Sequence, residues 1–476
     1  MRKTKIICTL GPASESPEII KALVEAGMNV ARFNMSHGSH EDHARRMSTV
    51  RSVAKSLNVS VGILLDTKGP EVRVKSFKGG KVQIKDGQAF TFTGDEVEGD
   101  NTKVSVTYKQ LYEDMKKGDK IMVNDGLVKF EVVDVKGHDV LCKCLQGGFI
   151  SNSKSMNFPN KVLSMPFISD VDREDIIFGA KQQVDFIAAS FVSNKMNVVE
   201  LRQLLNHHGG NDIEIIAKIE NQSGVNNIED IYTVADGCMV ARGDMGVEIE
   251  FARLPIIQRR IVKIARNLGK RVIVATEMLE SMIEHPRPTR AETSDVATAV
   301  SQGVSAVMLS GETAAGKYPV ECVKAMSEIA LEAENQISYF SELTHNVFKI
   351  DNMAEAVCHA AVDAALALNV RMIIVFTKSG RSAKNVSRFR PGMPIVAATS
   401  DELTFPRLSL CWGTIPNLVQ DYHKSEDLYK QAEDIARNNG CVDGDTVVVT
   451  SGLPLNQGTN IMKIMTLQPK ILEQKE

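Results

Sequence analysis

The sequence has almost no net charge, no long apolar run and no cysteine motif. Its 476 residues include 56 basic and 59 acidic side chains, so the net charge of −3 creates no overall field for nucleic acid or an anionic membrane. Apolar runs such as Met372–Phe376 soon meet polar residues and are too short to span a bilayer. The first apolar stretch reaches Gly11 and Pro12 too early for a signal-peptide core. A soluble protein is expected, in which any anion site is local.

Composition indicates a folded cytoplasmic protein of several domains. The eight cysteines are scattered, and the close pair Cys142 and Cys144 has neither zinc-finger nor thioredoxin spacing. Reduced thiols are therefore expected. With 43% hydrophobic and 24% charged residues the chain is globular. Its length predicts about two to four folding units.

Short Val-, Ile- and Ala-rich runs alternate with helical patterns over the first two thirds of the chain. The first helical pattern has Ser16 as N-cap and Pro17 at its first position. The runs are typical of buried parallel strands, and eight of them favour a (β/α)₈ TIM barrel with its functional face at the strand ends. They are Lys5–Thr9, Met28–Phe33, Val61–Leu65, Val184–Ser190, Ile213–Lys218, Gly237–Ala241, Arg271–Thr276 and Ala306–Leu309.

Two further units are predicted. Helical periodicity disappears from Gly69 to about Phe167 and turn signals such as Asn124-Asp-Gly126 replace it, which indicates an all-β insertion over the active face. A lid that closes on substrate is one reading of this insertion, and a decorative domain is the other. Residues 1–69 and 168–345 are assigned to the barrel, 70–167 to the lid, and 346–476 to a C-terminal α/β domain.

Polar residues follow the second and third strand patterns. Arg32 suits a bidentate grip on phosphate. Asn34 and Ser36 alternate along an extended chain, so their oxygens can face one cation, and Asp66 with Thr67 can complete that site. The alternatives are a polar loop with a surface arginine and ordinary turn or capping chemistry.

The most informative motifs follow two later strands. Glu220 and Asp244 are hard carboxylates that can hold magnesium at a barrel mouth, and Lys218 can neutralise a transferring phosphoryl group. Gly243 permits close backbone approach at a helix start, and Thr276 adds a hydroxyl for the same anion. A structural Lys–Glu ion pair with Asp244 as a helix cap is the competing interpretation.

A phosphate-binding turn is predicted in the C-terminal domain. The segment lies between a buried strand and a helix, where backbone amides, hydroxyls and a guanidinium can cradle phosphate. A plain strand-to-helix turn would use Gly and Ser too. The segment is Thr377, Lys378, Ser379, Gly380, Arg381 and Ser382.

Read in order, these motifs closely resemble the pyruvate kinase family over essentially the whole chain. The strings that carry the resemblance are T-K-I-I-C-T-L-G-P-A-S, A-R-F-N-M-S-H-G, L-L-D-T-K-G-P-E-V-R, A-K-I-E-N, M-V-A-R-G-D-M-G-V-E, A-T-E-M-L-E-S-M and R-P-T-R-A-E. The resemblance implies a barrel with an inserted lid and a C domain bearing an effector site, assembled as a homotetramer. It also implies transfer of a phosphoryl group from phosphoenolpyruvate to ADP in the last step of glycolysis.

The resemblance assigns site residues position by position. Catalytic residues would be Lys218, Arg32 and Thr276, and phosphoenolpyruvate would contact Arg32, Lys218, Gly243, Asp244 and Thr276. Magnesium or manganese would bind Glu220 and Asp244, and potassium would bind Asn34, Ser36, Asp66 and Thr67. ADP or ATP would contact Asn34, Met35, Ser36, His37, Arg73 and Lys154. A sugar-phosphate or nucleotide effector would bind Thr377–Ser382, while Glu71 matches the acidic form associated with potassium dependence.

The sequence departs from the family pattern at three places. The lid string around Lys154 is looser than usual, Glu277 stands where many members have glutamine, and the loop Ser451–Asn460 fits only in outline. The lack of a long N-terminal extension and of an extra C-terminal domain resembles a compact bacterial form.

Two other functions are alternatives to this one. A barrel of aldolase or carboxylase type would also need magnesium and an anion pocket, but the lid and nucleotide-contacting strings argue against it. A non-enzymatic phosphate sensor is disfavoured by the intact lysine and carboxylates of the barrel.

Overall fold

The computed structural model describes residues 1–346, 348–422, 424–454 and 457–469. The chain begins with alternating strands and helices, and the first helix starts as predicted. Ser16 accepts a hydrogen bond from the Ile19 N–H, and Pro17 occupies the first turn, where no intrahelical N–H bond is lost. These first elements are β1 (Lys5–Thr9), α1 (Pro17–Ala26), β2 (Val30–Asn34), α2 (His40–Ser56) and β3 (Gly62–Asp66).

The insertion after β3 is a β domain. Its elements are β4 (Val72–Arg73), β5 (Lys81–Ile84), β6 (Ala89–Thr93), β7 (Lys103–Ser105), α3 (Leu111–Asp114), β8 (Lys120–Val123), β9 (Val128–Lys136), β10 (Asp139–Gln146), β11 (Gly148–Ser151) and β12 (Ser155–Asn157). A seven-stranded sheet of order β4-β12-β8-β9-β10-β6-β7 is joined by the β11-β5 pair. The expectation of strands alone misses α3, a single turn in which Tyr108 donates to Asp114 Oδ2 at 2.8 Å.

The barrel resumes after the inserted β domain, and strands alternate with helices up to residue 345. Its elements are α4 (Asp170–Lys181), β13 (Phe186–Ala189), α5 (Lys195–His207), β14 (Glu214–Ile219), α6 (Gln222–Asn226), α7 (Ile228–Val234), β15 (Gly237–Ala241), α8 (Arg242–Glu248), α9 (Leu254–Asn267), β16 (Arg271–Ala275), α10 (Arg290–Ser301), β17 (Ala306–Leu309), α11 (Gly311–Ala314), α12 (Pro319–Asn335) and α13 (Tyr339–His345). Short 3₁₀ turns cover Phe251–Arg253 and Glu280–Ile283.

The C-terminal unit is an α/β sheet. It contains α14 (Met353–Ala367), β18 (Met372–Phe376), α15 (Arg381–Arg388), β19 (Ile395–Thr399), α16 (Thr404–Arg407), β20 (Thr414–Leu418), α17 (Ser425–Asn438), β21 (Thr446–Ser451) and β22 (Ile461–Thr466), with a 3₁₀ turn at Leu408–Leu410. The strand order is β20-β19-β18-β21-β22, and only β22 runs antiparallel to its neighbour.

The predicted TIM barrel is confirmed. Eight parallel strands close in the order β1-β17-β16-β15-β14-β13-β3-β2, and their apolar side chains are buried on both faces. The interior is packed by side chains such as Ile7, Phe186, Ile216 and Met239, and Leu410 of the C-terminal unit joins that cluster. None of the described helices is both long and apolar enough to cross a bilayer.

Candidate active site

Strands β2, β3 and β14 bring four charged side chains together at the carboxyl end of the barrel. Arg32 lies in β2, Asp66 ends β3, and Lys218 with Glu220 stands at the end of β14. Arg32 Nε donates to Asp66 Oδ2 at 2.6 Å, and Lys218 Nζ lies 3.1 Å from Asp66 Oδ1 and 2.9 Å from Glu220 Oε1. All four residues are buried. Two cations and two carboxylates far apart in sequence therefore form one continuous ionic cluster.

Lys218 stays charged although it is buried. Burial by itself would lower the pKa of this ammonium, but the carboxylates of Asp66 and Glu220 outweigh it and raise the pKa above its ordinary value. Nζ also donates to Ser190 Oγ at 2.7 Å. This preorganised positive charge is suited to a transferring phosphoryl group.

Glu220 fits a metal ligand. Its Oε2 accepts the Phe191 N–H at 2.6 Å, whereas Oε1 is buried and accepts no hydrogen bond with normal geometry from a described residue, despite the nearby ammonium. Burial is the main reason that the pKa of Glu220 rises to about 7. A buried carboxylate oxygen without a hydrogen-bond donor is favourable for a divalent cation. Residues 1–346, 348–422, 424–454 and 457–469 contain no group of three or more His, Cys, Asp or Glu placed to hold a metal.

The second carboxylate, Asp244, lies in the first turn of α8 and is exposed at the mouth. Its charge is close enough to Lys218 and Glu220 to contribute to raising the pKa of each. The pair Glu220 and Asp244 could therefore hold magnesium from two strand ends and leave positions open for substrate oxygens.

A strained loop places Thr276 beside α8. Thr276 and Glu277 have φ values of 65° and 54°, and Arg242 fixes the loop by donating to the Thr276 carbonyl at 2.7 Å and to Asp295 at 2.6 Å. The Gly243 N–H donates to Thr276 Oγ1 at 2.8 Å. Gly243 and Thr276 thus lie together, and a substrate carboxylate at this amide would have to replace the Thr276 hydroxyl.

The candidate potassium ligands lie at the ends of β2 and β3. Asn34 is paired in register with Asp66, and its Oδ1 accepts the Ser36 N–H at 3.1 Å. Thr67 Oγ1 accepts the Ser190 N–H at 3.2 Å. Their hard oxygens suit an alkali cation. Met35 is buried in this turn, whereas Ser36 and His37 are exposed, so they can reach a ligand outside the barrel.

The two predicted nucleotide residues of the lid are neighbours. Arg73 is held by Glu71 through two contacts, Nε–Oε2 at 2.9 Å and Nη2–Oε1 at 2.8 Å, and it donates to the Ser153 carbonyl at 2.6 Å. Lys154 follows Ser153, and its carbonyl accepts the Val74 N–H at 3.0 Å. Glu71 therefore has a direct contact that sequence reasoning did not give it.

The predicted phosphate turn borders a large cavity. The cavity is about 910 Å³ and lies between the C-terminal unit and the barrel side chains Lys270 and Arg271. Ser382 Oγ is 2.5 Å from Thr459 Oγ1, so the loop Ser451–Asn460 reaches the same cavity, although its residues 455 and 456 lie outside the described ranges. Gly380 has φ 77°, which turns the chain into α15. The turn's lining residues are Thr377, Lys378, Ser379, Arg381 and Ser382.

Sequence reasoning missed two residues at the mouth. Ser190 ends the predicted strand Val184–Ser190, bonds Lys218 and donates to the Thr67 carbonyl at 2.6 Å, and its position at a strand end was the available signal. Glu248 ends α8 and contacts the lid. No local sequence pattern indicates that contact, because it depends on how two domains meet.

Comparisons with known proteins agree over nearly the whole chain. A family profile described as pyruvate kinase, barrel domain, matches residues 1–323, and one described as pyruvate kinase, alpha/beta domain, matches residues 355–465. The pyruvate kinase of Sporosarcina psychrophila is 46% identical over 470 residues, covering 98% of this chain and 80% of that protein. That of Clostridium perfringens is 43% identical over 471 residues, covering 98% and 99%. A crystal structure of a pyruvate kinase from Cryptosporidium parvum superposes with a TM-score of 0.94 at 37% identity, covering 98% of this chain and 96% of that one.

Proposed function

The chain belongs to the pyruvate kinase family, and on that premise we propose that its barrel mouth moves the phosphoryl group of phosphoenolpyruvate to ADP with the help of magnesium and potassium. The observation that carries this proposal is the ionic cluster in which buried Lys218 lies 2.9 Å from Glu220 and 3.1 Å from Asp66, beside Arg32. Such fixed positive charge is what a migrating phosphoryl group requires.

Each residue of the cluster has a distinct task. Arg32 and Lys218 bind the phosphoryl oxygens, and Asp66 orients both cations through its two oxygens. Glu220 and Asp244 hold magnesium, which when bound supplies Lewis-acid stabilisation of charge on substrate oxygens. Asn34, Ser36, Asp66 and Thr67 supply the oxygens for potassium. Thr276 lies beside Gly243 at this mouth, where its hydroxyl, acting through water, would stand near the enolate carbon that must take up a proton.

The nucleotide is proposed to enter between the mouth and the lid. Met35, Ser36 and His37 approach it from the barrel side with Asn34, and Arg73 with Lys154 approaches it from the lid. We further propose a cytoplasmic homotetramer that catalyses the last step of glycolysis.

The turnover test uses ADP-dependent pyruvate formation. We expect pyruvate to appear only with phosphoenolpyruvate, ADP and a divalent cation, and to slow when potassium is replaced by a large organic cation. Carbon–carbon bond formation from phosphoenolpyruvate without ADP would contradict the proposal and favour an aldolase- or carboxylase-type barrel.

Regulation is proposed at the turn Thr377–Ser382, where a sugar phosphate or a nucleotide would bind as effector. We expect Arg381→Ala to weaken the apparent affinity for a sugar phosphate by about 10- to 100-fold, because hydrogen bonds to a charged group contribute about 1.5 to 3 kcal/mol. The measurement is turnover against a panel of sugar phosphates at low phosphoenolpyruvate. Arg371→Ala is the matched control, since Arg371 is exposed and precedes the opposite end of β18. If both variants responded equally to the sugar phosphates, the assignment of the effector site to Thr377–Ser382 would be wrong.

A further inference from the structure

The lid touches the barrel at the short helix that carries Asp244. The Phe158 N–H, just after β12, donates to Glu248 Oε1 at 3.2 Å. Gly126 of the lid also lies close to this helix, since a Cβ added there would be 3.4 Å from Val247 Cγ1. The lid thus docks on the last turn of α8 through a hydrogen-bonded carboxylate, with Gly126 close beside it.

The carboxylate in this contact is half-buried and accepts the Phe158 N–H. Burial is the main cause that raises the pKa of Glu248, the hydrogen bond from Phe158 opposes it, and the charge of Asp244 adds to the rise. Asp244 and Glu248 are four residues apart in a helix, so they occupy the same face. The face of α8 that presents the candidate magnesium ligand is therefore the face on which the lid rests.

The docked end of the lid is also the end that carries its nucleotide residues. β12 pairs with β4 in the register Ser155 to Arg73, and the Arg73 guanidinium bonds the Ser153 carbonyl at 2.6 Å. Lys154 directly precedes β12. The strand pair β12–β4 links Glu248 to Arg73 and Lys154 through only a few residues. This hydrogen-bonded pair is stiffer than a free loop.

We propose that Glu248 is a positioning residue for phosphoryl transfer, which docks the lid on α8 and so sets the place of Arg73 and Lys154 relative to Asp244. The proposal rests on the nucleotide role of Arg73 and Lys154 proposed above. Glu248 acts through the lid rather than on the reacting atoms, since its hydrogen-bond partner within the described ranges is the Phe158 amide.

The test compares Glu248→Ala with Glu248→Gln, which keeps an oxygen acceptor for the Phe158 N–H. We expect the alanine variant to raise the KM for ADP about tenfold, while the KM for phosphoenolpyruvate stays within about twofold of its original value. In the glutamine variant the KM for ADP should return most of the way to that of the unmodified protein. Glu250→Ala is the matched control, because Glu250 is exposed and makes no side-chain cap hydrogen bond.

Lid position is measured separately by spin-label distances. Cysteines introduced at exposed Val133 in the lid and exposed Met196 in α5 can be labelled selectively, since all eight native cysteines are buried. We expect the distance distribution to broaden in Glu248→Ala and to remain narrow in Glu248→Gln. An unchanged distribution overturns the proposal, and so does a broadened one with an unchanged KM for ADP.

A separate result would show that the proposed nucleotide role of Arg73 and Lys154 is wrong. In that case Arg73→Ala and Lys154→Ala, made with Glu248 intact, would leave the KM for ADP unaltered. If Glu248→Ala does not fold, Glu248→Asp gives the same comparison, because it keeps the charge but withdraws the oxygens by one methylene. A normal KM for ADP and a narrow distance distribution in that variant would also overturn the proposal.

Discussion

Replacing Lys218 with Met is expected to lower kcat by about 10³-fold, the upper range for losing one preorganised donor to developing negative charge. Lys218 Nζ lies 2.9 Å from Glu220 and 3.1 Å from Asp66 in a buried site, so no solvent-exposed cation can substitute for it. The KM for phosphoenolpyruvate should change less than kcat, because Arg32 remains to bind the phosphate. The measurement is steady-state pyruvate formation at saturating magnesium.

The same change has a cost in stability. Asp66 keeps Arg32 as partner, but Glu220 loses the one ion pair that it makes with a described residue, and breaking a buried pair costs about 3 to 5 kcal/mol. A lower melting temperature with an unchanged far-ultraviolet circular dichroism spectrum is expected, and magnesium should recover part of the difference because it supplies charge to Glu220. Lys55→Met, at an exposed position near the end of α2, is the control. Normal turnover in Lys218→Met would remove this residue from the mechanism.

The barrel could be predicted from sequence because buried parallel strands have a local signature. Lys5–Thr9, Gly237–Ala241 and Ala306–Leu309 are found with the predicted bounds, and the other five strands differ by at most a few residues at either end. The strand ends then dictate which polar residues meet, since parallel strands present the same edge. This is why Arg32, Asp66, Lys218 and Glu220 could be assigned to one mouth without any coordinates.

The sequence does not predict the side-chain contacts that depend on strand register or on how two domains meet. Asp66 was expected mainly as a potassium ligand, yet its two oxygens contact Arg32 and Lys218. Ser190 bridges Lys218 and the Thr67 carbonyl only because β13 lies beside β3. Glu248 meets Phe158 across two domains. None of these contacts can be derived from the spacing of the residues along the chain.

Glu220→Gln tests the metal site with the smallest change in shape. Glutamine keeps the size of the side chain but removes the charge that a divalent cation requires, and the buried oxygen Oε1 lies 2.9 Å from Lys218 Nζ. We expect Mn²⁺ affinity to fall by at least about 100-fold. Mutating a residue that only hydrogen-bonds a metal ligand already lowers metal affinity by about 10- to 100-fold, and Glu220 is proposed as a ligand itself. Turnover at fixed magnesium should fall with it. Glu277→Gln is the matched control, since Glu277 is exposed at the same mouth.

The native site should also bind metal in a pH-dependent way. The pKa of Glu220 is raised to about 7 by burial, so without metal a proton occupies this carboxylate increasingly as pH falls below 7. A metal must displace that proton, and at one pH unit below the pKa only about a tenth of the carboxylate is ionised, which weakens Mn²⁺ binding about tenfold. Titration calorimetry at pH 6 and pH 8 measures the difference. Affinity independent of pH in the native protein would mean that Glu220 is already ionised by Lys218 at pH 6, and the ion pair rather than burial would then set its charge.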